Sequence, residues 1–201
     1  MGQKDISHAS AAYQASELVS GRGRGSSEGK YISLGHFETI DVSAAIGYAL
    51  SRAQGVPLGL IGYSMGGAVA LISASRDERV GAVVADSPFA SERGLVRALL
   101  RKQIGPLCSP VAALSERLLP YDPAEVEPLK EVAKIAPRAS LFIHGLRDRT
   151  CDPEDSVRLY EAAREPKELW LLEEAGHCDA YFLDRETYCE RVATFFEEHL
   201  Q

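Results

Sequence analysis

Residues 56–75 constrain this chain more than any other stretch. Val56-Pro57-Leu58-Gly59-Leu60-Ile61-Gly62-Tyr63 is short, apolar and bounded by Gly and Pro, the pattern of a buried strand covered on both faces of its sheet. Met65 to Ala74 follows without a charge, and its Ala, Val, Leu and Ile content suits a buried helix packed on that sheet. Between them stands Gly62-Tyr63-Ser64-Met65-Gly66. A strand that turns this sharply into a helix crowds the positions two before and two after the serine, so glycine is expected at both Gly62 and Gly66. The turn lifts the Ser64 hydroxyl clear of the backbone and aims the Met65 amide, at the helix N-terminus, toward any oxyanion formed beside it. The simpler alternative is a tight glycine turn with no chemistry.

Beyond this stretch the order strand, helix, strand repeats. Val80 to Asp86, Leu141 to His144 and Lys167 to Leu172 read as further strands. The order predicts an α/β fold, a mostly parallel sheet flanked by helices with right-handed crossovers. Sites in such sheets lie at the C-terminal strand ends, where Ser64 falls. Leu34 to Arg52 has a helical pattern, with Phe37, Ile40, Ala44 and Tyr48 near helical spacing and Asp41 placed to favour the N-terminal dipole. Pro153 to Arg164 reads as a helix with Asp152 as its N-cap, and Tyr181 to Leu200 as a closing helix with Phe182, Tyr188, Val192, Phe195 and Phe196 facing the sheet. Residues 88–138 carry helical stretches near 91–104, 109–119 and 123–135, broken by prolines. Arg93, Arg97 and Arg101 recur at helical spacing there, either as a solvated face or as an attractor of a substrate anion. Residues 1–20 are poorly patterned, with an Ala-rich short helix expected over Ser7 to Val19.

A serine hydroxyl is a poor nucleophile at neutral pH and needs a base within hydrogen-bond reach, oriented by an acid. His177 and Asp148 each follow the end of an expected strand, so the fold would carry both to the sheet edge that holds Ser64. His144 is a second candidate base and Asp86 a second candidate acid. The glycine-rich loop 21–30 fails as a phosphate cradle, because Arg24 and Tyr31 stand where a Walker loop needs Gly and Ser or Thr. Four cysteines, at 108, 151, 178 and 189, have no metal-ligand spacing and read as free thiols. No metal and no cofactor is expected. With 201 residues the chain makes one domain, and a net charge of −7 argues against nucleic acid or an anionic membrane as the main partner. It has no apolar stretch of membrane-spanning length and no signal-type core, so a cytoplasmic location is expected.

On Gly62-Tyr63-Ser64-Met65-Gly66, His144-Gly145-Xaa-Xaa-Asp148 and Gly176-His177, the chain resembles the α/β-hydrolase family, whose Ser, Asp, His order it keeps. The resemblance covers residues 21–201 and implies a small helical cap inserted at about 88–138. It also implies roles: Ser64 as nucleophile, His177 as base, Asp148 as the acid that fixes its tautomer, Met65 as an oxyanion amide and Gly62 and Gly66 as elbow glycines. Arg22, Gly23 and Gly25 match a structural loop of the family. A small acyl compound is the implied substrate, as ester, thioester or amide. The family's first strands and its His-Gly oxyanion loop have no counterpart before Arg22, so an N-terminally truncated hydrolase is expected. The Ser64 strand would then be an open sheet edge that invites a homodimer. The second reading is a catalytically silent descendant that serves as a binding module.

Overall fold

The structure, a computed structural model, describes residues 19, 21–24, 26–29 and 31–200. The helix expected over Ser7 to Val19 therefore lies outside the described residues, apart from Val19 itself. The four apolar runs become strands β1 (Leu58–Tyr63), β2 (Val80–Asp86), β3 (Ala139–Gly145) and β4 (Lys167–Leu172), all parallel and neighbours in chain order. Leu60 is level with Val83, Ala85 with Phe142, and Phe142 with Leu169.

Neighbouring strands that follow one another in sequence step across the sheet in one direction. Right-handed crossovers then put every connecting helix on the same face. Those connections are α2 (Met65–Arg76) between β1 and β2, α3 (Glu92–Ile104), α4 (Cys108–Glu116) and α5 (Pro128–Glu131) between β2 and β3, and α6 (Pro153–Ala162) between β3 and β4. Helix α1 (Glu38–Arg52) precedes β1 and joins the same layer. Ile46, Leu71, Val83, Phe142 and Leu159 form the core on this face. The opposite face carries Val84, Leu141 and Ile143, the alternate residues of β2 and β3, under Tyr188, Val192 and Phe195. Those three belong to α8 (Arg185–His199), which follows the single turn α7 (Ala180–Leu183). Among the described residues no helix is long and apolar enough to cross a membrane.

Several expectations need correction. The buried stripe of α1 is Val42, Ile46 and Leu50, whereas Ile40 and Tyr48 are exposed. The closing helix is two helices, because the Asp184 side chain accepts the Thr187 amide and starts α8 afresh. Phe182 accordingly sits on α7 and faces solvent, 81% exposed, instead of the sheet. The stretch 123–135 is a 3-10 turn at Pro123–Glu125, the short α5 and a second 3-10 turn at Val132–Lys134. Pro123 and Pro128 each occupy a first helical position, where the missing N–H costs nothing, and so restart the chain twice. Asp41 does more than favour the dipole of α1. It takes the Arg22 backbone amide at 3.0 Å and Nη2 at 2.7 Å, which ties the glycine-rich loop to this helix.

Candidate active site

The site begins with backbone geometry. Ser64 joins β1 to α2 at φ 53°, ψ −119°, a conformation L side chains rarely adopt. The turn closes so tightly that a Cβ on Gly62 would stand 2.1 Å from the Gly66 carbonyl oxygen. The expected requirement for glycine at 66 is not matched, because a Cβ there meets nothing within 4 Å. Crowding falls on Gly67 instead, whose Cβ would approach the Gly62 oxygen at 3.1 Å. The Ser64 amide donates to the Asp86 carbonyl at 2.8 Å, and the Gly67 and Ala68 amides return to the Ser64 carbonyl. Met65 N–H is one of the initial amides that a helix leaves without an intrahelical acceptor.

Two further loops reach the same edge of the sheet. β3 ends in the turn that carries Asp148, and β4 in the turn that carries His177. The structure brings Ser64, His177 and Asp148 together. His177 Nε2 lies 2.8 Å from Ser64 Oγ, and His177 Nδ1 lies 2.6 Å from Asp148 Oδ2. A carboxylate only accepts, so the ring proton sits on Nδ1 and Nε2 is free to take the Ser64 proton.

The Asp148 side chain is fully buried yet equipped to stay charged. Burial pushes its carboxyl up, but hydrogen bonds from His144, His177 and the Thr150 amide outweigh burial and hold it below the ordinary range. Its Oδ1 accepts the Thr150 and Cys151 amides at 2.7 and 3.0 Å. His144, the alternative base, reaches Asp148 Oδ2 at 3.2 Å through Nε2, while its Nδ1 faces Ser156 Oγ at 2.6 Å. Both of its ring nitrogens are thus engaged away from Ser64. Ser156 donates to His144, and His144 donates to Asp148.

Asp86, the alternative acid, turns away from His177. Its carboxylate accepts Ser87 Oγ at 2.8 Å and Tyr188 Oη at 3.1 Å, and burial raises its proton affinity. Ser87 Oγ in turn accepts the Cys178 amide at 3.1 Å, so this cluster holds the histidine loop from behind. Ser64, Ser87 and Cys178 all have positive φ, 53°, 52° and 56°. Strained backbone at three non-glycine residues marks a place where surrounding structure dictates conformation.

The hydrogen-bonding parts played by Ser87, Ser156 and Tyr188 escape a reading of the sequence, which places Tyr188 only as a residue facing the sheet. Asp86-Ser87-Pro88, two polar residues and a proline at the end of a buried strand, hints at a built corner. Burial pushes the Cys151 thiol up to about 12, and that of Cys178 up to about 11. Both therefore remain thiols at neutral pH and do not compete with Ser64 as nucleophiles. Arg93 bonds Glu116 and Asp122, and Arg97 faces Glu116, so these cations close on their own surroundings.

A family model described as the alpha/beta hydrolase fold matches residues 19–107. The uncharacterized protein YqkD of Bacillus subtilis is 31% identical over 183 residues, covering 88% of this chain and 60% of that protein. The chain therefore spans about three fifths of the length of that relative. Among solved structures, the Pyrococcus furiosus esterase Pf2001 superposes with a TM-score of 0.70 at 24% identity, covering 90% of this chain and 69% of the other. The esterase domain of a Rhodothermus marinus protein superposes with a TM-score of 0.61 at 26% identity over 84% of this chain and 71% of its own. With its parallel sheet and one-way crossovers, the chain has the alpha/beta hydrolase fold of these structures.

Proposed function

We propose that the chain is the core of a serine hydrolase that cleaves a carboxylic ester or related acyl bond through an acyl-enzyme. The observation that carries this reading is the unbroken hydrogen-bonded series from Ser64 Oγ through the His177 ring to Asp148, at 2.8 and 2.6 Å. Ser64 Oγ adds to the acyl carbonyl as its proton passes to His177 Nε2. The carbonyl oxygen, now an oxyanion, is met by the Met65 amide and the N-terminal end of α2. On collapse of the intermediate, His177 gives the proton to the leaving alkoxide, thiolate or amine, which departs and leaves the acyl group on Ser64. A water molecule, deprotonated by His177, attacks that ester, and the acid product leaves with Ser64 restored. Asp148 stays ionised throughout and fixes the histidine tautomer. The helices between β2 and β3 act as a cap, and Met65, Leu95, Leu99 and Cys151, which pack as one apolar cluster, line the acyl side.

A fluorophosphonate probe tests the reading without a known substrate. Purified chain is expected to become labelled, and Ser64→Ala and His177→Ala to abolish labelling while keeping the fold by circular dichroism. A folded wild-type chain that takes no label sinks the hydrolase reading and leaves the silent binding module.

A further inference from the structure

Helix α4 is amphipathic in the reverse of the usual sense. Val111 and Leu114 of α4, with Leu107 just before it and Leu118 just after it, follow one another at spacings of four, three and four, which lines them along one side. That side faces solvent: Leu107 is 63% exposed, Leu114 61% and Leu118 79%. The side toward the protein carries the small residues Cys108 and Ala112, both buried. A helix held only by its own domain would turn the leucines inward. A contiguous exposed apolar surface of this kind marks an interaction site.

Cations accompany the stripe. Arg101 and Lys102 stand in the last turn of α3, and Arg117 lies between Leu114 and Leu118. Lys102 Nζ donates to the Arg149 carbonyl, which ties this end of α3 to the turn after β3. Among the described residues none of Arg101, Lys102 and Arg117 is ion-paired, whereas Arg93 and Arg97 are tied to Glu116 and Asp122. Residues 101–118 hold three Arg or Lys against one Glu, the opposite sign to the chain's net −7. Charges farther than about 8 Å are largely screened at physiological ionic strength, so the local cations govern what approaches this face.

We propose that the outer face of α4 docks on an anionic lipid surface. Its leucines would enter the boundary between headgroups and acyl chains, and its cations would stay level with the anionic headgroups. A fluid surface fits better than a folded partner, because the stripe projects from a helix packed mainly on α3. The same contact reaches the candidate site, since Arg149 belongs to the turn after β3 that holds Asp148 and the exposed Leu146. The net charge argues against an anionic membrane for the molecule as a whole; the segregated charge of this helix pair reverses that locally. The proposal stands independently of the hydrolase reading.

Sedimentation of the 201-residue chain with vesicles tests it. Vesicles of equal parts phosphatidylcholine and phosphatidylglycerol are expected to bind the chain, with binding falling as salt rises. Vesicles of phosphatidylcholine alone are expected to bind it weakly. The double variant Leu114→Asp, Leu118→Asp is expected to lose about tenfold or more of the binding. Lys102→Glu with Arg117→Glu should lose a similar factor and flatten the salt dependence. All four side chains are exposed and only Lys102 gives up a hydrogen bond, to the Arg149 carbonyl, so nearly unchanged thermal unfolding is expected and checks the fold. Absence of binding to the anionic vesicles, or equal binding by the variants, overturns the proposal. A concentration-dependent dimer dispersed by the leucine pair also overturns it, because a second copy would then cover the stripe.

Discussion

Gly62 and Gly66 flank Ser64 symmetrically in sequence and asymmetrically in space. Gly62→Ala would press a methyl group into the Gly66 carbonyl, against backbone that has no room to move, and is expected to cost at least ~3 kcal/mol or prevent folding. Gly66→Ala meets open space inside a helix, where Ala is the better residue by up to about 1 kcal/mol, so urea denaturation should find it equal to wild type or more stable. Asp148 yields a prediction with a definite sign. Its folded carboxyl is held below the unfolded value of 3.8, so its contribution to stability is present above that pH and is lost as the pH falls through the folded value. Asp148→Asn should be less stable than wild type at neutral pH, and the gap should close below about pH 4. Ser64, Asp148 and His177 could be picked out in the sequence because each is a polar residue in the loop that follows an apolar run. Ser156 could not, because its partner His144 is a ring on another element and nothing local to α6 announces the contact.

At the scale of elements, α3 begins with a carboxyl in an unfavourable place. Glu92 is buried, Oε1 accepts Tyr121 Oη at 2.8 Å, and Oε2 has no partner among the described residues. Burial pushes it up to about 7, opposed by the Tyr121 hydroxyl and reinforced by Glu38 and Glu116. The folded value is raised, so the native state favours the protonated form. Stability is full below the unfolded value of 4.5 and is lost as the pH rises through about 7, by an amount on the order of 2 to 3 kcal/mol. Glu92→Gln should remove that dependence, and urea midpoints on either side of the interval measure it. Uncharged composition located α2, whose residues 67–74 are all buried. Periodicity misjudged α1, because Ile40 and Tyr48 share a helical face that the sheet never covers. It also merged α7 with α8, because a run of helix-forming residues hides the cap made by Asp184.

Across the whole molecule, the described sheet ends at β1, with Ile61 and Tyr63 exposed on it. An open strand carries unpaired backbone groups and invites pairing. Ile61→Lys should reduce concentration-dependent association in sedimentation velocity while leaving the unfolding temperature nearly unchanged, since the side chain is already in water. That variant separates association through the sheet edge from association through α4. By itself the sequence determined the succession of strands and helices, the sharp turn at Ser64 and the polar residues in the loops that reach it, because hydrophobic period, glycine and proline act over a few neighbouring residues. Only the tertiary structure decided that His144 and His177 share one oxygen of Asp148, that Asp86 braces the histidine loop, and that α4 turns its leucines outward. Each of these depends on side chains from distant elements meeting in space, and on which face of a helix the rest of the chain leaves uncovered.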